Sequence, residues 1–177
     1  DERAAVLHRM VEAMNATTAK LWAAREKGLP LATVQDAVIL ASIVEKETAK
    51  AVERLRIAAV FLNRLKKGMR LQSDPTVVYG LTGGNRLLGR PLTRADLKKP
   101  SPFNPYMIEG LPPSPISNPG SAALEAVLRP AITQDLYFVA DGSGGHVFSA
   151  TLKEHNRNAA KWRQLNKAIK KGRENAP

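Results

Sequence analysis

The segment VQDAVILASIVEKET, Val34 to Thr48, constrains the fold of this chain more than any other. Thr33, with Asp36 three residues on, is a capping-box-like helix start. The helix that follows is apolar on nearly every side, so neighbours must pack around it and it belongs at the centre of the fold. Its last turn should emerge from the core carrying Glu45 and Glu47. A carboxyl group in that setting is a candidate general acid, because partial burial disfavours the charged form and can raise a carboxyl to about pH 6. Ending the helix in water is an equally simple role for both acids. At 100° per residue Glu47 continues the stripe of Leu40, Ile43 and Val44, whereas Glu45 continues that of Val34, Val38 and Ala41. Both stripes are apolar, so helical geometry leaves the two acids equally eligible.

The remaining pattern is helix-rich. Residues Glu2 to about Lys27 read as an amphipathic helix on Val6, Met10, Ala13 or Met14, Thr17 and Leu21, ended by Gly28-Leu29-Pro30. A helix from about Val52 to Lys67 aligns Ile57, Ala58, Phe61, Leu62 and Leu65, packs on the central helix and stops at Gly68, suited to the left-handed C′ position. Asp74 as N-cap and Pro75 at N1 predict a short helix through Tyr79. From Gly89 to Gly120 there are eight prolines and little periodicity, a length of irregular chain that suggests a cleft wall. A helix over Ser121 to Leu128 follows, with N-terminal amides able to receive a polar ligand group. LYFVA and HVFSA, around Asp141 to Gly145, predict a β-hairpin. Thr151 and Glu154 form a capping box for a final helix. The expected class is α+β: a helix-dominated single domain with a β-hairpin and a long proline-rich irregular segment. Residues 1–32 are expected to lead into a catalytic domain spanning 33–177.

The formal charge of +11 implies a long-range pull toward anionic polymers or surfaces. Much of it is terminal, in Lys153, Arg157, Lys161, Arg163, Lys167, Lys170, Lys171 and Arg173, where a solvated helix face is the simpler reading. No apolar run is long enough to span a membrane. Cysteine is absent, and His8, His146 and His155 lack a metal-ligand rhythm, so neither a metal nor another cofactor is expected. No glycine-rich phosphate-binding motif is present.

Five blocks in series carry a resemblance: ASIVEKET, AAVFLNRLKKGMRLQSDPTVVYG, PFNPY, GLPPSPISNPG and YFVADGSGGHVFSATLKEHN. In that order, over roughly Leu40 to Asn156, the chain resembles the MltG (YceG-like) family of endolytic murein transglycosylases. It departs from the family pattern at Phe103, Pro105 and Ser114. The resemblance implies that the second glutamate of the V-E-K-E-T run, Glu47, is catalytic. It also implies cleavage of the bond between N-acetylmuramic acid and N-acetylglucosamine to leave a 1,6-anhydro end, with one carboxyl serving as acid and then base. Asn63, Gln72 and Tyr79 are the first candidates for sugar contacts, followed by Asp74, Asn104, Tyr106, Asn118 and His146, since carbohydrate sites combine hydrogen-bonding side chains with aromatic faces. For Asn63 a satisfied core amide, for His146 a structural histidine and for Asp74 a helix cap are competing roles.

The partners implied are peptidoglycan glycan strands and enzymes of wall synthesis, for a monomer at the periplasmic face of the bacterial inner membrane. Membrane contact would come only through an N-terminal anchor that these residues lack, as they lack most of a small LysM-like subdomain. Two other readings fit parts of the sequence. A basic nucleic-acid-binding domain fits the charge but lacks a recognition motif and a stacking platform. A hydrolytic muramidase would pair Glu47 with Asp74 as two carboxylates.

Overall fold

The computed structural model describes residues 2–174, with side chains as far as Ile169. Six helices and one hairpin follow in order: α1 (Arg3–Ala23), α2 (Val34–Glu47), α3 (Arg54–Lys66), α4 (Asp74–Thr82), α5 (Ser121–Leu128), β1 (Tyr137–Ala140), β2 (His146–Ser149) and α6 (Leu152–Glu174). The helix-dominated α+β class is therefore the observed one.

Helix α2 is the hub, packed by α1, α3, α4 and α5. Its start is a complete capping box: the Asp36 amide donates to Thr33 Oγ1, and the Thr33 amide donates to the Asp36 carboxylate. Residues Leu40, Ala41, Ile43 and Val44 are fully buried against Ile57, Phe61 and Leu62 of α3 and Leu124, Val127 and Leu128 of α5. Ser42, the one hydroxyl in this run, donates to Ile39 O and accepts the Ile116 amide at 3.0 Å, while its carbonyl accepts from the Ser117 hydroxyl. These bonds pin the far end of the proline-rich segment to the hub.

Helix α3 follows a 3-10 turn at Ala51–Glu53. It ends at Gly68, φ +63°, with the Gly68 amide on Leu65 O and the Met69 amide on Arg64 O, the Schellman arrangement that satisfies terminal carbonyls. The hairpin pairs Tyr137 with Ser149 through Ala140 with His146, and α6 packs on it behind the Thr151/Glu154 capping box.

Two helices differ from expectation. Helix α1 stops at Ala23, and Val6 and Met10 are exposed; only its second half, through Met14, Thr18 and Leu21, meets the core. The N-cap of α4 is Ser73, with Asp74 and Pro75 inside the first turn, and the helix runs to Thr82 rather than Tyr79. The basic residues of α6 from Lys153 to Lys167 do form an exposed face, whereas Lys170, Lys171 and Arg173 lie outside the described side chains. No helix among the described residues is long and apolar enough to cross a membrane.

Candidate active site

Glu45 and Glu47 lie two positions apart on α2 and so face nearly opposite sides of it. Glu45 turns toward α5 and accepts the Gly120 amide at 3.1 Å, an anion at the start of a helix where exposed amides favour negative charge. It has a structural task at that helix start. Glu47 turns toward the start of α4.

Glu47 is half-buried. Burial, the largest influence, pushes its carboxyl from an ordinary 4.5 up to about 7; a hydrogen bond with the Ser73 side chain lowers it, the Asp74 charge raises it, and the Arg64 charge lowers it. Ser73 holds the N-cap position of α4, yet its hydroxyl makes no capping bond. It accepts instead from Thr76 Oγ1 at 3.1 Å, both residues being almost fully buried. With Thr76 donating onto it, Ser73 has its own proton free to give to Glu47. A cap interaction of about 1 kcal/mol is thus forgone in favour of the acid.

The residues before Ser73 are set by Arg64. Its guanidinium, carried into the interior by α3, donates to Leu136 O at 2.6 Å, to Arg70 O and Leu71 O at 3.0 Å each, and to Gln72 Oε1 at 3.0 Å. Gln72 is held at φ +56°, the only positive φ among described non-glycine residues, with its amide on Pro105 O at 3.1 Å. Backbone strain of this kind costs about 1–3 kcal/mol and persists where surroundings over-determine it. Next to it, Tyr106 Oη donates to Asp74 Oδ1 at 2.6 Å. Burial first and that hydrogen bond second raise the tyrosine pKa, so the phenol remains a donor. Tyr79 packs its ring on Phe103, with centroids 5.0 Å apart, so the family departure at Phe103 supports an aromatic wall.

Of the residues singled out from sequence, Glu47, Gln72, Asp74 and Tyr106 therefore gather around the start of α4, and Tyr79 lies further along that helix on the groove that Asp74 also lines. Three others have different work. Asn63 Nδ2 donates to Thr133 O at 2.9 Å and Asp135 O at 3.0 Å, tying α3 to the approach to β1. Asn104 is 2 % exposed; its amide donates to Asp96 O, Leu97 O and Lys99 O and its carbonyl accepts the Tyr106 amide. No face of it is left for a ligand. His146 is held through Nδ1 and its backbone amide by Glu53, at 2.8 and 2.9 Å, which also accepts from Thr48 Oγ1. Asn118 is exposed on the Glu45 side of α2, in an apolar groove of about 510 Å³ between α1 and α5. That groove has no charged lining residue and is remote in chemistry from an acid–base site. Asp74, expected as a cap, is instead the acceptor for Tyr106.

Sequence reasoning missed Ser73 and Arg64. Arg64 did carry a signal, since it lies seven residues after Ile57 and three after Phe61, on the buried stripe of α3. A cation on that stripe must find several acceptors. Ser73 carried none, because a serine before Asp-Pro reads as an ordinary turn residue.

Residues 1–161 match the YceG-like family. The chain belongs to the YceG-like family. This YceG-like chain is 44% identical over 130 residues to an endolytic murein transglycosylase of Bacillus subtilis, covering 73% of this chain and 35% of that protein. It is 40% identical over 131 residues to an endolytic murein transglycosylase of Streptococcus pneumoniae, covering 72% and 24%. The crystal structure of a yceG-like protein from Listeria monocytogenes superposes with a TM-score of 0.64 at 46% identity, over 70% of this chain and 39% of that one. The chain thus spans about a third or less of the length of these curated relatives.

The Ser73 hydroxyl gives the site a separable handle. Ser73→Ala removes an influence that lowers the Glu47 pKa, so that pKa should move further up, and Ser73→Thr should restore it. Carboxyl carbon shifts of Glu47 followed by NMR through a pH titration check this. An unchanged titration in Ser73→Ala would show that the hydroxyl does not act on the acid.

Proposed function

We propose that this domain cleaves the β-1,4 bond between N-acetylmuramic acid and N-acetylglucosamine in peptidoglycan strands, within the strand, leaving 1,6-anhydro-muramic ends. The observation that carries this reading is Glu47, a half-buried carboxyl held against Ser73 at the start of α4, with its pKa pushed up to about 7. Such a group is protonated in an appreciable fraction of molecules at neutral pH, and its conjugate base is strong enough to take a proton back.

Glu47 donates its proton to the glycosidic oxygen as the bond from that oxygen to the muramic C1 breaks. The 6-hydroxyl of the same muramic residue then bonds to C1, and its proton passes to the Glu47 carboxylate. The acid is regenerated and no water is consumed. Ser73 orients the carboxyl, while Gln72, Asp74, Tyr79 and Tyr106 contribute polar and aromatic contacts to the sugars. The names of the Bacillus and Streptococcus relatives support the same chemistry. Partners on this reading are glycan strands and wall-synthesis enzymes at the periplasmic face of the inner membrane.

Digestion of purified peptidoglycan followed by mass analysis of the fragments is the test. Anhydro ends, one water lighter than hydrolysed ends, are expected. Hydrolysed ends would favour the second reading, in which Asp74, whose charge already acts on Glu47, serves as the partner carboxylate of a muramidase. Because donation requires the protonated acid, kcat/KM should fall about tenfold per pH unit above about 7 and level off below it.

A further inference from the structure

The run that supplies the acid also supplies Lys46, for which the chemistry above has no use. Lys46 is exposed and, together with Arg86, borders an open groove of about 460 Å³ that begins at Asp74 and runs along α4. Among the described residues neither cation has a hydrogen-bond or ion-pair partner. The floor between them is apolar and aromatic, formed by Pro75, Val78, Tyr79 and Ile116. Asp74 is the groove's one acid, and it already accepts from Tyr106.

The position of Arg86 is built rather than incidental. The turn after α4 bends back through Gly83 and Gly84, at φ +64° and +74°. A Cβ on Gly84 would stand 2.9 Å from the Tyr79 ring, so only glycine lets the turn fold onto that ring and bring Arg86 to the groove. In the floor, Ile116 is fixed by its amide on Ser42 Oγ.

We infer that this groove binds the acidic peptide stem carried by the muramic acid residue whose bond Glu47 cleaves, with Lys46 and Arg86 pairing its carboxylates. The inference rests on the proposed reading of Glu47 and assigns the substrate's peptide a place. The distribution of charge selects this ligand. Two cations set on an apolar floor suit a short peptide with sparse carboxylates and small apolar side chains. A polyphosphate would call for a continuous row of cations. The contact begins at Asp74, so the stem and the scissile bond are held by adjoining surfaces of one substrate.

The test uses the full chain and two substrates: glycan strands bearing peptide stems, and the same strands stripped of them by an amidase. In the parent protein kcat/KM should be about tenfold higher on stem-bearing strands. In the double variant Lys46→Ala/Arg86→Ala this ratio should fall to near one. A ratio unchanged by the double substitution overturns the inference. Binding is read separately from catalysis in a Glu47→Gln background, by titrating a muramyl peptide. Binding that weakens about tenfold with the double substitution supports the groove, and binding that does not weaken overturns it. Retained cleavage by Glu47→Gln would instead remove the reading of the acid while leaving the binding result to stand alone. If a soluble polyphosphate binds the groove and the muramyl peptide does not, the assigned ligand is wrong.

Discussion

Glu47→Gln should lower release of anhydro fragments by about 10³-fold, the scale of a lost general acid–base group, and should at the same time make the folded protein more stable at alkaline pH. The two effects share one cause. Burial raises the folded-state pKa of Glu47 to about 7 from an ordinary 4.5. Between those values the folded state holds a proton that the unfolded chain has released, so stability is fully present below about 4.5 and is lost as pH rises through about 7. The shift corresponds to on the order of 3 kcal/mol. Glutamine carries no charge at any pH and escapes this loss. At pH 8 the variant should exceed its parent by about 2–3 kcal/mol, and below pH 4.5 the difference should vanish. Urea unfolding at both pH values, beside a fragment assay, checks the pair. Glu45→Gln should keep most activity, since Glu45 holds the Gly120 amide on the other side of α2. An inactive Glu45→Gln with full activity in Glu47→Gln would reverse the assignment.

The second large effect is expected at Arg64. Arg64→Met keeps the bulk of the side chain but leaves the carbonyls of Arg70, Leu71 and Leu136 and the side chain of Gln72 without the donor they now share. Buried acceptors left unsatisfied cost ~1–3 kcal/mol each, and such costs are not additive within one network. A net loss of about 3 kcal/mol is expected, or roughly a 10 °C fall in Tm for a chain of this size. Arg64→Lys should recover little, because an ammonium cannot reproduce the planar fork that serves several acceptors at once. Activity should fall with stability, since the Gln72–Ser73 turn that delivers the hydroxyl to Glu47 would lose its anchor. Thermal melts and activity of the two variants decide it. A parental Tm in Arg64→Met would mean that the turn is held by its contact with Pro105 alone.

What the sequence disclosed depended on how far apart the interacting residues are. Helix α2 with its Thr33/Asp36 cap, α3 with Gly68, α5 and the hairpin rest on patterns within a few residues, and each appears where the pattern puts it. Helix α1 shows the limit of such patterns. Its apolar positions repeat correctly, yet Val6 and Met10 remain exposed outside the core. Asn63 and His146 looked available for sugars because their partners lie 70 to 93 positions away in the chain. Asn104 was misread for a different reason. Its acceptors are only five to eight residues distant, but they lie in an irregular segment for which periodicity offers no geometry. The preference for Glu47 over Glu45 rests on the resemblance at the level of sequence; in the fold, the burial of Glu47 and the bond from the Gly120 amide to Glu45 give a physical reason to propose it.

That reason limits how the gene can change. Because one residue is worth 100° of turn on a helix, inserting or deleting a single position between Thr33 and Glu45 would swing both acids off their targets together, detaching Gly120 as it carried Glu47 away from Ser73. Side chains along α2 can be exchanged within the limits of packing, but its length is fixed by the need to serve two neighbours at once. Length variation among relatives should therefore gather in the 87–95 stretch and the 141–145 loop and avoid the span from Thr33 to Glu47.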